Sequence, residues 1–343
     1  MHKKGGMFMR YKNLGSTDIR ASVLGFGGIP IQRVSTETAV EILAECKAHG
    51  INFIDTARMY TDSEDKIGAY FRAHGRQGWY VATKSPARDY AGMQKDINIS
   101  LGKMGCDYID LYQLHNVGTL ADLQRALQAD GAMAALEEAR TKGLVRHIGI
   151  TGHKPEVLEA AVDTGRFATI QIPFSALEQQ GIAVMKKARE KGMGVIAMKP
   201  LAGGALTAAA AALDFIFNSP WVDVAIPGMD AVEQVRENCS VLEKGATPEQ
   251  KRELDELIAN LGSQFCRRCE YCQPCPAGLK IPSMFLFEGY YTRYNLREWA
   301  LERYVSLPVK ASECTQCGVC ETRCPYELPI REMLKQVAAT MEK

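Results

Sequence analysis

No apolar run in the 343-residue sequence approaches the ~18 residues of a membrane-spanning helix. The alanine-rich stretch 208–213 is far shorter. The first ten residues carry charge but no apolar segment of the kind a secretory signal needs, and Met7 and Met9 are alternative starts. Neither sign of charge is in excess. Lys and Arg number 41 against 40 Asp and Glu, so no basic nucleic-acid face or polybasic anchor is expected. A glycine-rich dinucleotide fingerprint is also missing, because Gly25-Phe26-Gly27-Gly28 lacks the last glycine of G-x-G-x-x-G. These absences lead us to expect a cytoplasmic protein with neither nucleic acid nor membrane as partner.

Cysteine, in contrast, is plentiful. The count of eleven is odd, which fits poorly with a fully paired disulfide framework. Eight of the eleven fall between Cys266 and Cys324, in two groups. The first is Cys266-x2-Cys269-x2-Cys272-x2-Cys275-Pro276 and the second Cys314-x2-Cys317-x2-Cys320-x3-Cys324-Pro325. The second is the bacterial ferredoxin run. Zinc sites more often use two separated C-x-x-C pairs, and zinc is the metal alternative. Three cysteines at three-residue steps suit one four-iron cubane, since a tight loop can reach three irons at once. The fourth, before Pro, normally serves the other cluster. Two [4Fe–4S] clusters with crossed ligation are therefore expected. Cys266, Cys269, Cys272 and Cys324 would hold one, and Cys314, Cys317, Cys320 and Cys275 the other. Two residues rather than three precede Cys275, a departure from the run. Cys46, Cys106 and Cys239 are expected to be packing residues.

Upstream, short β-branched runs alternate with amphipathic helical patterns. Candidate strands are Val23–Phe26, Ile51–Asp55, Trp79–Thr83, Tyr108–Gln113, His147–Thr151, Thr169–Ile172, Gly194–Met198 and Val222–Ile226. Ser35 can cap a helix with Val40, Leu43 and Cys46 inward. Alternating strands and helices imply a parallel sheet, and eight units in roughly 250 residues fit a closed (β/α)8 TIM barrel. A doubly wound open sheet is the alternative. Thr247-Pro248-Glu249-Gln250 reads as a capping box starting a helix that ends near Gly262. We expect a barrel over 1–262 and a small α-helical ferredoxin-like domain over 263–343. In the latter, residues 283–305 form one or two helices and the segment from Pro329 a terminal helix.

Catalytic residues of such barrels sit at the C-terminal ends of strands. The candidate ends carry Asp55 in Asn52-Phe53-Ile54-Asp55-Thr56-Ala57-Arg58-Met59-Tyr60, Lys84 in Ala82-Thr83-Lys84-Ser85, and His115 in Tyr112-Gln113-Leu114-His115-Asn116. With Tyr60, and with the opening Leu14-Gly15-Ser16-Thr17 and Leu24-Gly25-Phe26-Gly27-Gly28, the sequence resembles the aldo-keto reductase family from Arg10 to Gly262. The chemistry can be argued without the name. Carbonyl reduction needs a hydride donor and an acid at the oxygen. A phenol's ordinary pKa of about 10 is poorly matched to neutral pH, and a nearby ammonium lowers it. Tyr60 would then be the acid–base, Lys84 its tuner, Asp55 the support of Lys84, and His115 a hydrogen-bonding partner of the carbonyl oxygen. Each taken singly also has a bland role: a helix cap, packing, a solvated lysine, a satisfied core histidine.

The resemblance further implies NADP(H), with NAD(H) possible, and places the nicotinamide amide near Thr151 and Gln171, with Met198 where a stacking tyrosine is usual. The loops after strands seven and eight, with Lys199, Leu201, Gly203 and Gly228, suit phosphates. Arg236 and Asn238 match the adenine-side segment. Gly228 and Gln234 stand where NADPH-preferring members place Lys and Arg, and Asp230 would repel a 2′-phosphate. Nicotinamides exchange two electrons and iron–sulfur clusters one. Two further possibilities are therefore an electron-transfer protein whose barrel binds nucleotide or docks a flavoprotein or ferredoxin, and clusters that only staple the fold.

Overall fold

Residues 9–261 and 264–343 are described by a computed structural model. They begin with an antiparallel hairpin of β1 (Tyr11–Asn13) and β2 (Arg20–Ser22). Eight parallel strands follow: β3 (Phe26–Gly27), β4 (Phe53–Asp55), β5 (Tyr80–Ser85), β6 (Ile109–Leu114), β7 (Val145–Thr151), β8 (Thr169–Pro173), β9 (Gly194–Met198) and β10 (Val224–Ile226). Each pairs with the next in chain order. Parallel bridges Leu24–Ala225 and Gly27–Gly228 join the first strand to the last. The sheet therefore closes into a barrel, and the open doubly wound alternative is set aside.

Helices α1 (Thr36–Ala48), α2 (Ser63–His74), α3 (Tyr90–Met104), α4 (Leu120–Leu127), α5 (Ala132–Thr141), α6 (Pro155–Asp163), α7 (Ile182–Glu190) and α8 (Ala209–Phe217) connect the strands, and α9 (Val232–Lys244) follows the last of them. The Ser35 hydroxyl caps α1 by accepting from the Thr38 amide at 3.2 Å. That helix buries Ala39, Ile42, Leu43 and Cys46, while Val40 is half-buried. The buried face is thus turned by about one residue from the expected one.

Strand side chains alternate between the barrel interior and the helices. Leu14 and Ile19 of the hairpin turn pack with Phe53, Ala82, Leu111 and Ile196 as one apolar plug. Two residues further along the same strands stand Asp55, Lys84, Gln113 and Met198. Period two thus carries each strand from apolar core to chemistry. Gly149 leaves room inside the barrel, where a Cβ would lie 2.3 Å from Thr169 Oγ1.

Two compact units divide the chain. The first runs through Pro200 and resumes over Ala209–Thr247; the second comprises Leu201–Ala208 and Pro248–Lys343. The second unit is helical, with α10 (Pro248–Leu261), α11 (Ile281–Thr292), α12 (Arg297–Val305), α13 (Val319–Thr322) and α14 (Ile330–Met341). The segment expected as one or two helices is two, separated at Asn295, whose φ is +51°. Leu279, Ile281, Met284, Ala300, Tyr304 and Leu334 form its core, with Tyr290, Tyr291 and Trp299 packed on it. The expected boundary at Gly262 lies outside the described residues. Among those residues, no helix is long and apolar enough to cross a membrane.

Candidate active site and cysteine loops

Lys84 organises the C-terminal end of the barrel. Its ammonium donates to Asp55 Oδ1 at 2.5 Å and to the Thr56 carbonyl at 2.8 Å. The same Nζ lies 4.9 Å from the centre of the Tyr60 ring. His115 meets that ring edge-on, 6.0 Å between centroids at 87°. The four residues expected to act together are therefore one cluster. Asp55 and Lys84 are buried, while His115 and Tyr60 are partly exposed at the mouth. Burial pulls Lys84 below its ordinary pKa, and the Asp55 and Glu64 carboxylates act against that pull. Burial likewise raises Asp55, against the Lys84 ammonium and the amides of Gln171 and Gln113.

His115 is held by its backbone. Its N–H donates to the Ser85 carbonyl at 2.9 Å, and Arg88 donates to its carbonyl at 2.8 Å. Burial, reinforced by the positive charges of Lys84, Arg88 and Lys199, holds the imidazole well below its ordinary pKa. It is neutral at pH 7 and can donate one hydrogen bond without carrying charge.

Sequence reasoning missed Gln113. Its amide nitrogen donates to Gln171 Oε1 at 2.9 Å and lies 3.3 Å from Asp55 Oδ2. The available signal was parity, since Gln113 is two residues before His115 on the inward face of β6. Gln171, expected near a nicotinamide amide, turns its own amide nitrogen toward Asp55 Oδ1 at 3.4 Å. Thr151 Oγ1 accepts from the Asn116 amide at 2.8 Å. Both residues are buried at strand ends beside the cluster.

The other expected cofactor residues are more dispersed. Met198 ends β9, and Lys199 follows with φ +55°. Leu201 and Gly203 fall in the second unit, where the Gly203 carbonyl accepts from Arg293 Nε at 3.3 Å. Gly228 bridges to Gly27, and a Cβ there would lie 2.4 Å from Pro30 Cγ. Asp230 pairs with Arg33 at 2.7 Å, and the Gln234 side-chain oxygen accepts from the Asp230 amide at 2.8 Å. Arg236 on α9 reaches Glu45 on α1 at 2.7 Å, and Asn238 is buried on α9.

In the second unit the two cysteine loops share a backbone conformation. Arg268 and Glu270 in the first loop have φ of +59° and +69°. Gln316 and Gly318, at the same places relative to their cysteines, have +58° and +78°. Three of the four are not glycine, and such strain persists only where the surroundings enforce it. Cys266 lies within electrostatic reach of Cys269 and Cys324, and Cys272 within reach of Cys266, Cys269 and Cys320. Arg267 stacks on the Tyr326 ring at 4.0 Å, tying the first loop to the segment after Cys324. Arg323 donates to the Pro274 carbonyl at 3.2 Å, beside Cys275. Cys46 and Cys239 are buried in the barrel unit and Cys106 is half-buried, as packing residues would be.

A closed parallel barrel whose strand ends gather a buried Asp–Lys pair, a tyrosine and a neutral histidine is the architecture of a carbonyl oxidoreductase. Residues 23–210 match the model of the Aldo/keto reductase family, and the chain belongs to that family. Residues 265–329 match the 4Fe-4S dicluster domain. The chain is 30% identical over 217 residues to the uncharacterized oxidoreductase YqkF of Bacillus subtilis, covering 58% of this chain and 67% of that one. It is 29% identical over 215 residues to the L-galactose dehydrogenase of Arabidopsis thaliana, covering 57% and 66%. The chain thus spans about two thirds of the length of these relatives. Among solved structures, the aldo-keto reductase AKR11C1 from Bacillus halodurans superposes with a TM-score of 0.64 at 24% identity, covering 73% of this chain and 96% of that one.

Proposed function

We propose that the barrel moves a hydride between a nicotinamide nucleotide and a small carbonyl or alcohol, with Tyr60 as the acid–base. The observation that carries this is the Lys84 ammonium fixed between Asp55 and the Tyr60 ring. The nucleotide, when bound, supplies the hydride to the carbonyl carbon. Tyr60 gives its proton to the carbonyl oxygen and takes it back in alcohol oxidation. Lys84 favours the phenolate that forms, and Asp55 keeps Lys84 charged and aimed. Neutral His115 donates a hydrogen bond to the same oxygen. Thr151, Gln171, Met198, Lys199, Leu201, Gly203, Gly228, Arg236 and Asn238 remain the nucleotide's candidate contacts.

The second unit, in this proposal, holds two [4Fe–4S] clusters on the eight cysteines in the crossed arrangement. The donor set fits. All eight ligands are thiols, and their loops repeat one strained conformation. Among the described residues no three ligating side chains converge as for a single metal ion. A four-iron cluster takes one thiolate per iron and does not need such convergence. Cys317 is exposed, which favours clusters that exchange single electrons with a flavoprotein or ferredoxin over clusters that only staple the fold. A cytoplasmic setting, where thiols stay reduced, suits this chemistry.

The test is NADPH and NADH oxidation by the oxygen-free holo-protein with a panel of aldehydes, in wild type and Tyr60→Phe. Turnover that drops at least about a hundredfold in the variant is expected. Equal rates would refute the assignment of Tyr60.

A further inference from the structure

Behind the barrel wall, on the opposite side of β5 from Lys84, lies a second buried ionic cluster. Its centre is Glu64 in the first turn of α2, whose side chain is only 1% exposed. Glu64 Oε1 accepts from Thr83 Oγ1 at 2.8 Å and from Ser100 Oγ at 2.7 Å. Its other oxygen is ion-paired with Arg58. The Arg58 Nε also lies 3.5 Å from Asp96 on α3, and Ser85 donates to Asp96 in turn.

The partners of Glu64 are the neighbours of the active site. Arg58 belongs to the loop between Asp55 and Tyr60, and its amide donates to the Lys84 carbonyl at 3.0 Å. Thr83 precedes Lys84 on β5. The loop is short, it bends through Thr61 at φ +30°, and Tyr60 stands partly exposed at its end. A loop of this kind needs an anchor to hold a proton donor in one place. We propose that Glu64 is a positioning residue of the reaction, gripping through Arg58 the loop that presents Tyr60 and through Thr83 the strand that presents Lys84.

The grip is ionic, so it has an electrostatic signature. The Glu64 carboxylate favours the protonated form of Lys84 and of any nearby proton donor, while the Arg58 guanidinium disfavours it. The other charged or titratable groups facing this region are Asp96 on α3 and Tyr112 on β6 behind the wall, and Asp55, His115, Arg88 and Lys199 at the strand ends. None of these changes in the variants below. Removing Glu64 takes away negative charge and must lower the pH at which the Tyr60–Lys84 pair gives up its proton. Removing Arg58 must raise it. A merely structural role gives no pair of shifts with opposite sign.

The inference rests on Tyr60 being the acid–base, and the experiment separates the two claims. In the full holo-protein, phenolate absorbance is titrated in wild type, Glu64→Gln, Arg58→Gln and Glu64→Asp, each minus its Tyr60→Phe counterpart. This readout needs no substrate. The Tyr60 midpoint should move down by ~0.5–1 pH unit in Glu64→Gln, up by a similar amount in Arg58→Gln, and little in Glu64→Asp. NADPH-dependent reduction of para-nitrobenzaldehyde should fall about tenfold in the first two. If Glu64→Gln does not fold, the upward shift in Arg58→Gln decides alone. Midpoints that stay put, or that move the same way, overturn the proposal. Undiminished turnover in Tyr60→Phe overturns the acid–base assignment instead.

Discussion

Lys84 Nζ sits 2.5 Å from Asp55 Oδ1, and neither side chain is more than 3% exposed. An ion pair this deep adds little net stability, because desolvation cancels much of the attraction. Breaking it from one side is a different matter, since it leaves an uncompensated buried charge. Asp55→Leu or Lys84→Met alone should destabilise the barrel by about 3–5 kcal/mol. The double variant should recover most of that loss. Activity should not recover, and all three should lose roughly 100- to 10,000-fold in kcat. Urea unfolding of the four proteins, read as a double-mutant cycle, checks the first claim and steady-state kinetics the second.

Stability against pH gives a second handle through His115. Its folded pKa lies well below its ordinary value, with burial as the main cause. As pH falls through about 6.5, the unfolded chain takes up a proton that the folded chain refuses. Unfolded therefore binds more protons than folded, and stability rises with pH across that window. His115→Gln removes the effect. Between pH 7.5 and 5 the wild type should lose up to about 1.4 kcal/mol per pH unit below 6.5 more than the variant does. Denaturation curves at the two pH values give the difference. A steeper loss in the variant would contradict a neutral imidazole.

The barrel was legible because β-branched runs, spacing and period two all point to one topology. The reactive cluster was legible because Asp55, Lys84 and His115 stand at successive strand ends, and Tyr60 follows Asp55 at a fixed step. Gln113 was not singled out, since an amide inside a strand carries no motif and only parity marks it. Glu64 and Arg58 were invisible for a related reason. A charge pair in a helix's first turn and a preceding loop reads as a solvated surface until packing against α3 and β5 shows it is enclosed. The Ala39–Ile42 face of α1 was missed by one residue, within the tolerance that helical periodicity allows.

Nucleotide choice should turn on Asp230 more than on Gly228. NADPH-preferring relatives are expected to carry a lysine at position 228. Here the Cβ direction runs into Pro30 at 2.4 Å, a ring that cannot rotate away. Gly228→Lys should therefore cost about 1–3 kcal/mol without improving NADPH use. Asp230 is neutralised by Arg33 at 2.7 Å. Asp230→Asn removes the carboxylate that would repel a 2′-phosphate. The ratio of kcat/KM for NADPH over NADH should rise about 3- to 10-fold in Asp230→Asn and stay flat in Gly228→Lys. A falling ratio in Asp230→Asn would place the adenine end elsewhere.

Crossed ligation can be tested by which cysteines fail together. Cys324 approaches Cys266 electrostatically, and Arg267 reaches Tyr326 just beyond it. If Cys266 and Cys324 serve one cluster, replacing both with Ala removes one cluster and leaves about four irons. Replacing Cys266 and Cys275 strikes both clusters, so little iron should remain. Uncrossed ligation predicts the reverse, because Cys266 and Cys275 would then share a cluster and Cys324 would belong to the other. Iron and acid-labile sulfide per chain, measured after oxygen-free purification of the two double variants, distinguish the patterns. Far-UV circular dichroism of the same samples guards against counting a misfolded second unit as a lost cluster. Zinc without sulfide in the wild type would remove the cluster assignment altogether.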